Sequence, residues 1–384
     1  MTDTTNYILL GVSALALVFM LRPALLRNAT WRATVTPLAS IIGSGFLVVA
    51  PLLHGLAGRW SLLAIAIIVI VAYGVGSAIR LNIRYESLTH AALFGRRLER
   101  LSSSILGVAY VISVAFYVVL LVAFVLQALG MKTPETIRWS ATGVLLLLAL
   151  VGMSRGLHGY ENLEAVSVSI KLSIIAGILA MLAYFGITTD VPYFEHEAVI
   201  EGTLWQRAQI LGGLLMIAQG FETSRYLGQA YDAKTRVRTM RNAQLLSSAI
   251  YIAFIGLTCP LFFLYPITNV DETGVSLVLG NVAVLAPAVL LVAAVASQFS
   301  AAIADIVGAS GLLRETFGRS MTVRLGYVVV TSASLVLIWT LDIFEIITWA
   351  SRGFAAYYLL QVLLTFAVLR RLSDVPNRPL IIAG

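Results

Sequence analysis

Apolar stretches long enough to cross a lipid bilayer recur along the whole chain, and they constrain its fold more than any other feature. A helix of about 20 residues spans the ~30 Å hydrocarbon core. The 384 residues are 59% hydrophobic and only 12% charged, and the mean hydropathy is +0.91. Strand-like alternation is absent, so the pattern predicts an all-α polytopic membrane protein. The eleven predicted spans are 6–26, 34–56, 61–83, 104–130, 137–154, 161–187, 208–226, 243–267, 280–312, 325–341 and 343–369.

Basic residues are distributed unequally between the two sides of the predicted membrane. Twenty of the 26 Lys and Arg residues fall in alternate loops on one side, against four on the other. The positive-inside rule therefore predicts an external N-terminus and a cytoplasmic C-terminus in a plasma or bacterial inner membrane. This distribution explains the net charge of +7 without a nucleic-acid partner. The predicted outer loops are acidic, with Asp190, Glu195, Glu197, Glu201, Asp271 and Glu272.

The charge distribution gives a testable topology. A tag placed before Asn6 should react with a membrane-impermeant reagent in intact cells, whereas a tag after Arg378 should react only once the membrane is opened. The measurement is labelling efficiency before and after permeabilisation. Both tags reacting from the same side would contradict an odd number of spans.

Two apolar segments are interrupted by glycine at matching places, within 41–46 and 217–222. A helix opens at membrane depth only where protein or a water-filled cavity satisfies the freed backbone groups. The two breaks lie five spans apart, and an odd number inverts the second group of five relative to the first, as in inverted-repeat transporters. The prediction is an N-terminal anchor helix and basic loop (1–33), a ten-helix core (34–372) with repeats 34–187 and 205–372, and a tail (373–384). Glycine that only promotes helix packing is the alternative.

The breaks are the predicted substrate site. The N-terminus of a half-helix favours an anion such as a substrate carboxylate. Glu222 could hold an amino group or act as a structural partner. Phe221 could cover the ligand and Tyr110 could line the cavity, or both rings could simply pack. The candidate substrate-binding residues are Ile42, Gly43, Ser44, Gly45, Gln219, Gly220, Phe221, Glu222 and Tyr110.

The break motifs also resemble those of a known family. Ile42-Gly43-Ser44-Gly45-Phe46 and Gln219-Gly220-Phe221-Glu222 are similar to the first and sixth core helices of the amino acid–polyamine–organocation (APC) superfamily. The resemblance runs from Thr36 to Arg371 and implies a leucine-transporter-type fold with broken first and sixth helices. The N-terminal helix is extra to that pattern, and counterparts of the usual eleventh and twelfth helices are missing.

Charges inside predicted spans are candidates for ion coupling, because a charge at the centre of a membrane helix costs about 2.5–3.5 kcal/mol on insertion scales. Lys171 lies near the middle of its span, and Asp305 could pair with it or with an interfacial arginine. The resemblance implies that a lysine of the fifth core helix replaces a sodium ion in some prokaryotic members. It also places hydroxyl ligands of sodium near Ser297 and Ser300, although serines commonly bond their own backbone.

Motifs of enzymes are missing from the sequence, which has no HExxH, CxxC or P-loop pattern. We therefore expect no enzymatic activity, no metal site and no cofactor other than protons, or sodium as the alternative coupling ion. The predicted function is secondary active transport of a small amino acid or related amine, with protons as the coupling ion. Alternatives are sodium coupling, another solute (nucleobase, metal ion or potassium) and a non-transporting sensor. Predicted partners are the substrate and the lipid bilayer, and the oligomeric state stays open.

Overall fold

The computed structural model describes residues 2–43, 45–86, 93–189, 218–228, 230–265, 274–341 and 343–373, with five separate positions between 191 and 214. Helices account for most of the described residues, as predicted. Their bounds are α1 Thr2–Met20, α2 Pro23–Leu26, α3 Ala29–Ile41, α4 Gly45–Ala57, α5 Ser61–Arg84, α6 Leu93–Ala128, α7 Pro134–Gly156, α8 Gly159–Thr188, α9 Ala233–Leu264, α10 Gly274–Gly280, α11 Ala286–Phe317, α12 Val323–Thr340 and α13 Ile343–Ser373.

Nine segments within the described ranges are long and apolar enough to cross a membrane. Two of the eleven predicted spans do not appear among them as separate segments. The span predicted at 34–56 is divided into α3 and α4, each of 13 residues, and the span predicted at 208–226 lies largely outside the described residues. Other predicted features also lie outside them, namely Ser44 and the acidic residues Asp190, Glu195, Glu197, Glu201, Asp271 and Glu272.

Two helices begin well before the hydropathy pattern predicts. α6 begins at Leu93 rather than at 104, and α9 begins at Ala233 rather than at 243. Both extensions are rich in Arg, and the side chain of Asp232 caps α9 by accepting a hydrogen bond from the Thr235 N–H at 3.1 Å. Hydropathy detects only the apolar part of a helix, so polar turns that continue past the apolar stretch were missed.

The helical stretch from Pro134 to Thr188 is interrupted at Gly156, whose φ of 60° and ψ of −150° are not helical. This interruption separates α7 from α8 and confirms the two spans predicted there. Next to it, the Tyr160 hydroxyl donates to the carbonyl of Leu148 at 2.6 Å, and its ring meets Tyr327 of α12 edge-on. Tyr160, near the start of α8, therefore connects α7 and α12 beside the kink.

The N-terminal helix α1 packs against α8. A Cβ on Gly177 of α8 would collide with the hydroxyl of Ser13 and the carbonyl of Leu9, so glycine is what allows this close approach. At the start of α1, the Thr5 hydroxyl donates to the carbonyl of Val282 at 2.6 Å. The additional helix thus contacts two distant parts of the bundle.

Candidate functional site

The first predicted break is present, because α3 ends at Ile41 and α4 begins at Gly45. Ile42 caps α3 with a φ of −87° and a ψ of 62°, outside the helical region. The second break lies at Gly220, whose φ is 107°, and is followed by a 3₁₀ helix, Phe221–Tyr226. At both glycine motifs the described backbone departs from regular α-helix, at Ile42 and at Gly220.

The two breaks meet in space. A Cβ on Gly220 would collide with Ser40, which lies in the last turn of α3. The positive φ of Gly220 is also a conformation that side chains rarely adopt. Gly220 is therefore required for two independent reasons, its backbone conformation and the closeness of α3.

The carbonyl groups freed at the end of α3 are bound by side chains from three other helices. Tyr251 of α9 donates to the carbonyl of Ile41 at 3.0 Å, and Ser297 of α11 donates to that of Ile42 at 2.7 Å. Lys171 of α8 donates to the carbonyls of Ala39 at 2.8 Å and Ile42 at 2.7 Å. The opened helix end is thereby satisfied in a region without bulk water.

Lys171 is 1% exposed and uses all three of its N–H groups. Besides the two carbonyls of α3, it donates to the hydroxyl of Ser300 on α11 at 3.0 Å. The C-terminus of a helix carries partial negative charge, so an ammonium group at this position is stabilised. The structure thus brings together three of the four predicted ion-coupling residues, Lys171, Ser297 and Ser300.

Asp305, the fourth, lies apart from this cluster. Its carboxylate accepts hydrogen bonds from Ser40 of α3 at 3.1 Å and from Ser113 of α6. Within the described ranges, neither Lys171 nor an arginine forms an ion pair with Asp305. Seryl hydroxyls take the place of a cation because Asp305 is five residues after Ser300 and therefore on a different side of α11.

Glu222 lies immediately after the second break and is fully buried. Its Oε2 accepts hydrogen bonds from the Gly220 N–H at 2.9 Å and from the Tyr358 hydroxyl at 2.6 Å. Its Oε1 has no hydrogen-bond partner within the described part of the chain. Because a buried polar atom is normally satisfied, Oε1 is a candidate contact for a ligand.

Aromatic rings surround Glu222. Phe221 is 2% exposed and stacks on Tyr358 at 5.3 Å between centroids. Tyr110 is fully buried, meets Phe354 edge-on, and its hydroxyl has no partner among the residues described. Phe354 in turn stacks with Tyr358 at 6.4 Å between centroids, so a continuous row of rings connects Tyr110 with Phe221. The predicted residues Phe221, Glu222 and Tyr110 therefore belong to one aromatic, acidic region.

The remaining candidates border the same region. Gly43 faces Tyr117 of α6 and Ala301 of α11, which a Cβ on Gly43 would contact at 3.7 and 3.8 Å. Gln219 is half-buried, and its Oε1 also lacks a hydrogen-bond partner within the described ranges. Gly45 is the first residue of α4. Ser44 lies outside the described residues.

Several polar residues in and around the site were not predicted from the sequence. Tyr358 was not predicted, because one tyrosine in an apolar helix gives no signal of its own. Glu161 and Glu164 fall inside the predicted span 161–187 and could have been recognised as buried charges. Glu161 accepts hydrogen bonds from Arg32 and, at 3.0 Å, from the Tyr231 hydroxyl. Arg225 similarly pairs with Glu99.

Comparison with known proteins agrees with the paired breaks. A family profile described as an APC superfamily transporter matches residues 23–382 of the chain. The chain belongs to the APC superfamily of transporters. A protein of Aquifex aeolicus (strain VF5), described as an uncharacterized protein, is 39% identical over 371 residues, which cover 95% of this chain and 90% of the relative. The resemblance predicted from the break motifs is confirmed, and with it a transporter role for this APC protein in a membrane.

The order of contacts along α3 and α8 describes the centre of this APC transporter further. Arg32, Thr36 and Ala39 of α3 contact Glu161, Glu164 and Lys171 of α8, in that order. The two helices therefore run side by side in the same direction. The three contacts occur in the same order along both helices and continue up to the break at the end of α3.

Proposed function

We propose that this APC transporter is a secondary active transporter that moves a small amino acid or a related amine by alternating access, with protons as the coupling ion. The observation that carries the proposal is the position of Lys171, whose ammonium group occupies the break of α3 with three hydrogen bonds. The paired breaks, which resemble those of the leucine-transporter-type fold, support alternating access. A proton that moves down 100 mV supplies about 2.3 kcal/mol for this work.

Proton coupling is favoured over sodium coupling by the surroundings of Lys171. Ser300 accepts a hydrogen bond from Lys171, and Ser297 and Lys171 share the carbonyl of Ile42. A sodium ion at these oxygen atoms would have to displace the ammonium group, since two cations at one helix end repel each other. When a lysine releases and rebinds a proton, the positive charge at this helix end is removed and restored, as it would be by a sodium ion that leaves and returns.

An amine group on the substrate is supported by the acidic, aromatic region. The Glu222 Oε1 and the Tyr110 hydroxyl, to which the described part of the chain supplies no partner, can both accept hydrogen bonds from an ammonium group. Aromatic rings also attract cations through their π faces. For an amino acid, the carboxylate would bind at the N-terminus of α4, where Gly45 permits close backbone approach.

A thermal-shift screen of the purified protein tests the substrate class. The panel contains the proteinogenic amino acids, the amines formed by their decarboxylation, nucleobases, and potassium and divalent metal salts. We expect stabilisation by an amino acid or an amine, and unchanged uptake of that compound into proteoliposomes when choline replaces sodium. Stabilisation by nucleobases or metal salts alone would contradict the substrate class, and an absolute sodium requirement would contradict the coupling ion.

Glu222→Gln tests the contact with the amine. The amide retains an oxygen for the Gly220 N–H and the Tyr358 hydroxyl but lacks the negative charge. Because hydrogen bonds to charged groups contribute about 1.5–3 kcal/mol, we expect at least about tenfold weaker binding of the compound found in the screen. Tyr358→Phe is the control, since it removes one hydrogen bond and leaves the charge. Equal affinity of Glu222→Gln and the wild type would contradict the contact.

A further inference from the structure

α8 presents a second buried titratable group to α3, seven residues before Lys171. Residues separated by seven positions lie two turns apart on the same helix face. Glu164 and Lys171 are therefore about 10 Å apart along the axis. Both side chains lean toward the N-terminus of α8, as helical side chains do, and both reach α3, Glu164 at Thr36 and Lys171 at Ala39.

The surroundings of Glu164 do not neutralise a negative charge. Glu164 is 1% exposed, and its Oε2 accepts a hydrogen bond from the Thr36 hydroxyl at 2.7 Å. Its Oε1 has no partner in the described part of the chain, and no ion pair to Glu164 is formed there. A buried carboxylate with one neutral hydrogen bond is costly unless it binds a proton or shares a nearby positive charge.

Lys171 is the cation available to Glu164. The nearest arginine on α3, Arg32, is already paired with Glu161. The charged and titratable groups that act on Glu164 from α8, α11 and the loop before α9 are Glu161, Lys171, Asp305 and Tyr231. Lys171 is the one member of this group that carries a positive charge. Transfer of its proton to the Glu164 carboxylate leaves the summed charge of the two side chains at zero.

We propose that Glu164 is a second proton-binding site, which accepts the proton of Lys171 on its way to the cytoplasm. This inference rests on the proton coupling proposed above. An N–H bond of the Lys171 ammonium breaks and an O–H bond of Glu164 forms, so a separated ammonium and carboxylate become a neutral amine and a neutral carboxyl group. The pair has no net charge before or after the transfer, which keeps the step feasible at membrane depth.

The transfer would also release α3. A neutral Lys171 no longer places a positive charge at the C-terminus of α3, so the carbonyls of Ala39 and Ile42 are held less strongly. Thr36 lies one turn earlier on α3 and binds Glu164 directly. Movement of α3 away from α8 would therefore expose Glu164 beyond the Arg32–Glu161 pair, where its proton can leave.

Infrared spectroscopy of the purified full-length protein tests the proton site without a substrate. Difference spectra between acidic and alkaline samples should contain a protonated-carboxyl band that Glu164→Gln removes. Ser169→Ala is the matched control, because Ser169 is buried on the same helix and bonds its own backbone at Ala165. We expect this control to keep the band. A band of the same intensity in Glu164→Gln would overturn the proposal.

Transport measurements separate the role of Glu164 from proton coupling as such. With the compound found in the screen, Glu164→Gln should reduce uptake driven by an inward pH gradient about 100-fold. Exchange of labelled for unlabelled compound should persist, since exchange needs no net proton release, and Glu164→Asp should restore part of the uptake. If Glu164→Gln shows gradient-driven uptake at the wild-type rate, the role of Glu164 is overturned while the proposed proton coupling still stands. A wild type that ignores the pH gradient would refute the proton coupling itself.

Discussion

Lys171→Met should reduce uptake driven by an inward pH gradient to the level of empty liposomes while leaving part of the substrate exchange. Methionine fills similar space without a charge, so the protein can no longer bind and release a proton at the break of α3. The carbonyl of Ala39 loses the hydrogen bond from Lys171, which we expect to destabilise the protein by about 1–3 kcal/mol. The carbonyl of Ile42 keeps the hydrogen bond from Ser297.

Lys171→Arg is the matched control for this experiment. Arginine keeps the positive charge at the helix end but stays protonated at every physiological pH. It should therefore retain more thermal stability than Lys171→Met and show the same loss of gradient-driven uptake. Undiminished gradient-driven uptake in either variant would refute Lys171 as the coupling residue. Sodium coupling through Ser297 and Ser300 would then become the better explanation.

Gly220→Ala should have a large effect for a single added methyl group. The side chain would be held at a φ of 107° and would collide with Ser40. The left-handed conformation alone costs about 1–2 kcal/mol, and relief of the collision requires α3 and the second break to separate. We expect a lower thermal midpoint and loss of substrate binding, measured with the compound found in the thermal-shift screen.

Two other glycines serve as controls. A Cβ on Gly43 would lie 3.1 Å from the Ser40 carbonyl oxygen, a close contact that a small shift relieves, so Gly43→Ala should lose less stability. Gly143 on α7 has no atoms within 4 Å of such a Cβ, so Gly143→Ala should behave as the wild type. Normal binding by Gly220→Ala would show that close contact between the two breaks is unnecessary. Gly43→Leu fills the space beside Tyr117 and should abolish binding while the protein still inserts.

Local information in the sequence was sufficient to predict the helices and the positions of both breaks. An apolar run of about 20 residues is long enough to cross the bilayer as a helix, and it predicts a membrane helix independently of the rest of the chain. The glycines at 43, 45 and 220 mark openings because they remove steric limits on their own backbone. Prediction failed at the ends of α6 and α9, where charged turns extend the helices past the apolar stretch.

Only the tertiary structure decided which groups meet. The partners of Lys171 at Ala39 and Ile42, of Glu164 at Thr36, and of Glu222 at Tyr358 are more than a hundred residues away in the chain. The periodicity of apolar residues along one helix cannot predict such pairs, because each pair depends on how two separate helices pack against each other. Asp305 illustrates this: its type and depth suggested a cation as partner, yet the packing of α3 and α6 against α11 supplies two seryl hydroxyls. The sequence determined that charges are buried in this membrane protein, and helix packing determined how each is satisfied.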